Sequence, residues 1–377
     1  MIIVDAHEDL GYNIMSFGRD YCLAASETRQ REVGALALLV NGDTLLGWPD
    51  YQRGQVAIVF ATLFASPVRY RVGEWDTQSY ATPDQAHAIY HGQLDVYRRL
   101  VDDHQDKFRQ VLAQGDLRSV LSEWEKSSTD QEPGELPPAE LPTGKPAPVG
   151  LVVLMEGAEG VRSPDELEEW WGMGVRIIGP AWMGTRFCGG THEPGPLTPE
   201  GYALLEGMAE LGFGLDLTHM DEEAALQALD VYSGTILASH SNASALHKGS
   251  ESNRHLSDRL IRGIIERDGV IGVVPFNRFL VPGWSEGDGR DKVTLQHVVA
   301  QIDYLCQMAG DAAHTGLGTD FDGGFGVQSV PEGIDTVSDL QKLVPLLAEK
   351  GYSETDMAAI LGMNWIQQLQ RVLPEGI

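Results

Sequence analysis

The 377-residue sequence predicts an α/β fold: a (β/α)8 TIM-like barrel with an acidic, Pro-rich surface insertion. Three observations lead there. Eight short apolar runs recur along the chain, with helical stretches between many of them. Most of these runs are apolar throughout rather than alternating, the pattern of parallel strands covered on both faces. A histidine or carboxylate follows run after run, as expected where strand ends face an active site. A doubly wound sheet is the competing architecture, but no GxGxxG follows the first run, which removes the usual support for a dinucleotide-binding sheet.

The first strand is expected over 2–6, leading into "VDAHEDLGYN", and the second over 56–63, "VAIVFATL". An amphipathic pattern around "GQLDVYRRLVDD" predicts a long helix over 84–114. The segment 127–148, "SSTDQEPGELPPAELPTGKPAP", has too few apolar residues to form a core and reads as a surface loop within a single domain spanning 1–377. The third strand, 150–155 (GLVVLM), precedes Ser163-Pro164, an N-cap with proline at the first helical position. The remaining strands are expected at 175–179 (VRIIG), 213–217 (FGLDL), 235–239 (TILAS), 270–275 (VIGVVP) and 315–319 (TGLGT). Ser353 and Asp356 have a capping-box spacing at the start of the last helix.

The formal net charge of −28, from 55 acidic and 27 basic residues, argues against a nucleic-acid or anionic-membrane partner. Cys22, Cys188 and Cys306 form no CxxC pair, so neither a disulfide framework nor a thiolate zinc site is suggested. No leader pattern or membrane-length apolar run is present, and a cytoplasmic location is the expectation.

Reading the expected strand ends in order brings out His7 and Asp9, Glu156, His219, His240 and Asp320. His7 and Asp9 are two apart, so an extended backbone aims both side chains to one face. Neutral imidazole and carboxylate are the usual zinc ligands outside cysteine sites. A carboxylate such as Glu156 can bridge two ions roughly 3.5–4 Å apart, the spacing of two-metal hydrolytic sites. Any single one of these histidines is more often a hydrogen-bonded structural residue, and "HED" alone reads equally well as a solvated turn. Independent turns have no reason to place ligands at five strand ends, and the set points to a metal site. His87, His91, His104, His192, His247, His297 and His314 read as surface or packing residues, and the Trp170-Trp171 pair as helix packing.

With these residues assembled, the chain resembles the membrane (renal) dipeptidase family of the amidohydrolase superfamily. "DAHEDL" is similar to that family's opening H-x-D motif, "MEGAEG" to its bridging-glutamate segment, and "DLTHM" and "SHSNA" to its two histidine motifs. "GLGTDFDGG" resembles its late aspartate motif and "ILGMNWIQQL" its closing helix, so the matches run in family order over essentially the whole chain. The resemblance implies two zinc ions per chain, with His7, Asp9 and Glu156 on one and Glu156, His219 and His240 on the other. It implies Asp320 as the proton-transfer residue, with Asp322 as the rival for that role, and Arg254 as the clamp for a substrate carboxylate. The implied substrate is a dipeptide, with a D-residue at its C-terminal position as one form, and a homodimer is a family expectation.

One departure stands out. The family carries a histidine after the fourth strand, whereas "RIIGPAWMGTRF" has Pro180 near that place and no histidine. Either Trp182, Thr185 or Arg186 takes over its role, or the substrate is another amide, an N-acyl amino acid or a lactone.

Overall fold

A computed structural model describes residues 1–127, 146–249 and 252–376. Its centre is a ring of eight parallel strands: β1 (Ile3–Glu8), β2 (Val56–Phe64), β3 (Val149–Glu156), β4 (Val175–Gly179), β5 (Gly214–Asp216), β6 (Ile236–Leu237), β7 (Ile271–Val273) and β8 (Thr315–Leu317). Neighbours follow chain order from β1 to β6, and β8 lies between β1 and β7. A parallel bridge from Ala238 to Ile271 joins the β6 and β7 sides and closes the ring. All eight expected strands are present.

The apolar runs become strands because both their faces are covered. Every residue of β1 and of β3 is buried. Helices pack outside, and the last of them shows how tightly. The Ser353–Asp356 capping box forms as expected, and the indole of Trp365, further along, donates to the Leu317 carbonyl of β8 at 2.9 Å. Trp170 is fully buried, and Trp171 packs edge-on against Phe213, as the packing reading of that pair requires.

Two expectations need correction or restriction. The pattern over 84–114 is not one helix: the helix spans Pro83–Asp103, a short strand at Phe108–Gln110 pairs with β3, and a second helix runs Gln114–Ser127. Asp102 and Asp103 put negative charge where the helix dipole disfavours it, and Phe108 gains full burial in the sheet. Most of the 127–148 segment, residues 128–145, lies outside the described residues. Its far end is pinned rather than loose: Ala147 is buried and exchanges hydrogen bonds with the Gln52 amide, and the Trp124 indole donates to the Pro148 carbonyl.

Backbones approach closely where the β6, β7 and β8 segments meet. A Cβ on Gly272 would lie 1.9 Å from the Ser239 carbonyl oxygen, and one on Gly318 1.8 Å from the same atom. Only glycine permits this approach, which fixes the residue before His240 against two neighbouring strands. Gly318→Ala is therefore expected to cost about 3 kcal/mol or more by overpacking. Gly115→Ala, at a helical position with nothing within 4 Å, is expected to be neutral or to stabilise by up to about 1 kcal/mol. Denaturant unfolding of both variants checks the contrast.

Candidate metal centre

The residues singled out at the strand ends converge at one end of the ring. His7 lies within β1 and Glu156 ends β3, so these two are placed by regular strand geometry. His219, His240 and Asp320 come three residues beyond the last residues of β5, β6 and β8. His219 (φ 69°) and Asp320 (φ 57°) adopt the left-handed conformation, an arrangement that costs a non-glycine residue about 1 kcal/mol or more and gathers at functional sites.

Glu156 stands at the middle. One carboxylate oxygen, Oε1, lies 3.0 Å from His219 Nε2 and 3.4 Å from His240 Nε2. The other, Oε2, lies 3.7 Å from His7 Nε2. The same His7 nitrogen is 4.0 Å from Asp9 Oδ2 and 3.9 Å from Asp320 Oδ1. Two donor sets are thus compact enough for an ion: His7 with Glu156 and His240, and His7 with Asp9 and Asp320.

Hydroxyl groups behind the rings orient the imidazoles. Ser239 Oγ donates to Asp216 and so accepts from His240 Nδ1 at 2.8 Å. Thr191 Oγ1 contacts the His219 carbonyl and lies 2.9 Å from His219 Nδ1. With the protons on Nδ1, both Nε2 lone pairs face inward, where they are 3.1 Å apart. Two lone pairs at that distance repel unless a cation lies between or beside them. Among the described residues, neither ring nitrogen of His7 nor Oδ1 of Asp9 finds a hydrogen-bond partner, although all are buried. Orphaned donor atoms of this kind fit metal ions.

The electrostatics agree. Burial, reinforced by the Arg254 charge, lowers the His7 pKa to about 3. Burial also holds His219 and His240 well below the usual imidazole value. Burial raises Asp9 to about 7, with Asp322 adding to the effect. Glu156 and Asp320 are pushed well above the ordinary carboxylate range by burial and then by the Asp9 charge. Neutral imidazoles and carboxylates short of positive charge are what a divalent cation requires.

Asp320 and Asp322 are separated by their surroundings. Asp322 is fully buried, and its carboxylate accepts from Tyr21 Oη (2.9 Å), Leu45 N (3.0 Å) and Thr44 Oγ1, with Arg19 Nη1 at 2.9 Å. Asp320 instead lines the cavity over the centre. Asp5 and Glu8, from the same "DAHEDL" stretch as His7 and Asp9, are both fully buried. Asp5 accepts from the Thr319 backbone at 2.7 Å and from its hydroxyl, tying β1 to the segment that carries Asp320. Glu8 accepts from Tyr51 Oη.

The cavity has a volume of about 420 Å³. Arg254 lines it with 5% exposure. Its Nη2 donates to the His240 carbonyl at 2.8 Å and Nη1 to Ser241 Oγ at 3.3 Å, while its buried Nε has no partner among the described residues. Of the stand-ins for the missing fourth-strand histidine, Trp182 lines the cavity, its ring 6.3 Å from that of His219. Thr185 donates to the Pro180 carbonyl, and Arg186 pairs with Glu159 and Glu200, so both are engaged elsewhere. His192, read from sequence as a surface or packing residue, is exposed but lines this cavity, as do Asp76 and the ring of Phe276. No local motif marks these residues; they come from loops whose course is set by what they pack against.

Comparisons with known proteins bear on the family of the chain. The profile of the membrane dipeptidase family (peptidase family M19) matches residues 144–375. An uncharacterized protein from the region 5′ of pqqA in Klebsiella pneumoniae is 32% identical over 236 residues, 59% of this chain and 82% of that protein. An uncharacterized dipeptidase of Schizosaccharomyces pombe is 32% identical over 219 residues, 56% of this chain but only 51% of that protein. Among solved structures, a metallopeptidase from Rhodobacter sphaeroides, liganded with a phosphinate mimic of the dipeptide L-Ala-D-Ala, shares the fold with a TM-score of 0.74 at 22% identity, covering 99% of each chain. The family profile covers well over half of the sequence, and the chain belongs to the membrane dipeptidase family of metallopeptidases.

Proposed function

We propose that this protein is a two-zinc dipeptidase, with His7, Asp9 and Glu156 holding one ion and Glu156, His219 and His240 the other. The observation that carries this reading is the position of Glu156, one oxygen toward His7 and the other toward His219 and His240. Zinc ions so held supply a Lewis acid for the scissile carbonyl and a water activated near neutral pH. Asp320, at the cavity edge of the cluster, takes the proton of the attacking water and returns it to the amide nitrogen as the C–N bond breaks. Arg254 binds the substrate carboxylate through its Nε edge, which has no partner among the described residues, while its contacts to His240 and Ser241 hold the guanidinium in place. A D-residue at the carboxyl end is a natural first choice of substrate, since the Rhodobacter sphaeroides protein of the same fold is seen with such a mimic. A second reading, an N-acyl amino acid or lactone, draws on Pro180 and on Trp182 in the cavity wall.

Chelation followed by zinc restoration tests the first reading. About two zinc ions per chain and metal-dependent cleavage of members of a dipeptide panel, D-residues included, are expected; no cleavage of any member rejects it.

The pKa shifts set a pH signature for the metal-free protein. Above about pH 6.5 unfolded histidines are neutral, as the native ones already are, so they no longer favour the native state as pH rises. Asp9 at about 7 still binds a proton in the native state that the unfolded chain has lost, so stability falls as pH rises through that value. Thermal unfolding of the metal-free protein is expected to move to lower temperature between about pH 6.5 and 8.5, and zinc to abolish that slope.

Arg254→Lys is expected to raise KM about tenfold or more for dipeptides with a free carboxylate, because an ammonium cannot make the planar fork. The corresponding dipeptide amides should be affected far less, and steady-state kinetics on both series checks this.

A further inference from the structure

We propose that Asp76 is the anchor for the α-amino group of the substrate, and that the enzyme therefore selects amides carrying a free amine at one end and a carboxylate at the other. The inference rests on the dipeptidase reading and deepens it.

Asp76 lines the same cavity as the metal cluster and Arg254 but belongs to neither. It lies in the loop that follows β2, and Arg254 in the loop that follows β6. Strands two and six of an eight-membered ring in chain order are diametrically opposed, so the two residues rise from opposite sides of the barrel mouth. The carboxylate–imidazole cluster, drawn from the ends of β1, β3, β5, β6 and β8, occupies the space the ring encloses. A zwitterion with its amide bond over the cluster would direct its two charged ends toward these two sides.

The surroundings of Asp76 suit an ammonium. The residue is only 1% exposed. Tyr12 Oη donates to Oδ1 at 3.1 Å and Ser66 Oγ to Oδ2 at 3.2 Å, and Tyr12 and Ser66 also line the cavity. Each oxygen keeps a lone pair after accepting one neutral hydroxyl. No cationic side chain forms a salt bridge with it among the described residues. The neighbouring Arg71 is bonded instead to the backbone carbonyls of Asp76 and Glu74. The rest of this wall is apolar or aromatic, with Phe64, Val72, Trp75 and Trp182. A buried carboxylate in such a wall is costly without a cationic partner, and a substrate ammonium supplies one. An N-acylated substrate has no charge to offer and would leave Asp76 desolvated and unpaired, which is the basis for its rejection.

The test compares two phosphinate dipeptide mimics, one with its amino group and one with hydrogen in its place, by titration calorimetry on the zinc-loaded enzyme. The wild-type protein should bind the amino mimic about 100-fold more tightly. Asp76→Asn should bring the two within about threefold by weakening only the amino mimic, and Asp76→Glu, which keeps the charge, should restore much of the preference. Equal affinity of the wild type for both mimics, or equal weakening of both by Asp76→Asn, overturns the role of Asp76 and leaves the dipeptidase reading standing. Binding of neither mimic overturns the dipeptidase reading and this inference with it. The wild-type comparison decides even if Asp76→Asn does not fold.

Discussion

Asp5, Glu8, Asp9, Glu156, Asp216 and Asp322 are among the carboxylates buried in this barrel, and compensating them is the constraint on which the arrangement of its mouth depends. Water cannot solvate charges there, so each group must find donors, a proton or a cation. The protein uses all three. Asp322 has Arg19, Tyr21, Thr44 and a backbone amide. Asp216 has Ser239 and Thr218. Glu8, beside Asp5, has the Tyr51 hydroxyl as a donor, and burial pushes its pKa well above the carboxylate range, which favours its protonated form. Asp9 and Glu156 instead keep carboxylate oxygens facing His7, His219 and His240, the arrangement on which the proposed metal site rests.

The same bonds that satisfy the structural carboxylates position the functional residues. Asp5 grips Thr319, the residue before Asp320. Asp216 grips Ser239, the residue before His240, whose carbonyl is in turn wedged between Gly272 and Gly318. Asp216 also accepts from Thr218 N, the residue before His219, so both left-handed residues, His219 and Asp320, follow a residue held by a buried aspartate. Local strain at the site is thereby balanced by packing one residue away, and the imidazole Nε2 atoms are held in register with Glu156.

Much of this was legible in the sequence, and for a reason specific to the fold. Fully buried parallel strands are apolar runs, so an ionisable residue at the end of one is conspicuous; His7, Asp9 and Glu156 could be read in this way. His219, His240 and Asp320 were also readable, although they lie beyond the strands, because "DLTHM", "SHSNA" and "GTDFDGG" follow short apolar runs directly. The break after Asp103 was not readable, since Phe108 enters the sheet only because β3, some forty residues later, offers an edge. Nor was the place of His192, whose loop reaches the cavity through the bonds of its neighbours: its own amide donates to Asn253 and the adjacent Thr191 meets His219.

The sequence by itself determined the barrel, the order of its strands and the chemical type of the candidate metal ligands, because periodicity and strand-end chemistry are local properties. Only the tertiary structure separated Asp320 from Asp322. Strand alternation treats two aspartates two apart as equivalent, but both residues leave the strand in left-handed conformations, at φ 57° and 64°. One then meets the cavity and the other meets Arg19, Tyr21 and Thr44. Arg254 and Asp76 were brought to the lining of one cavity in the same way, by ring closure between segments almost 180 residues apart. Partnership of that range depends on which surfaces meet after folding, and no short stretch of sequence contains it.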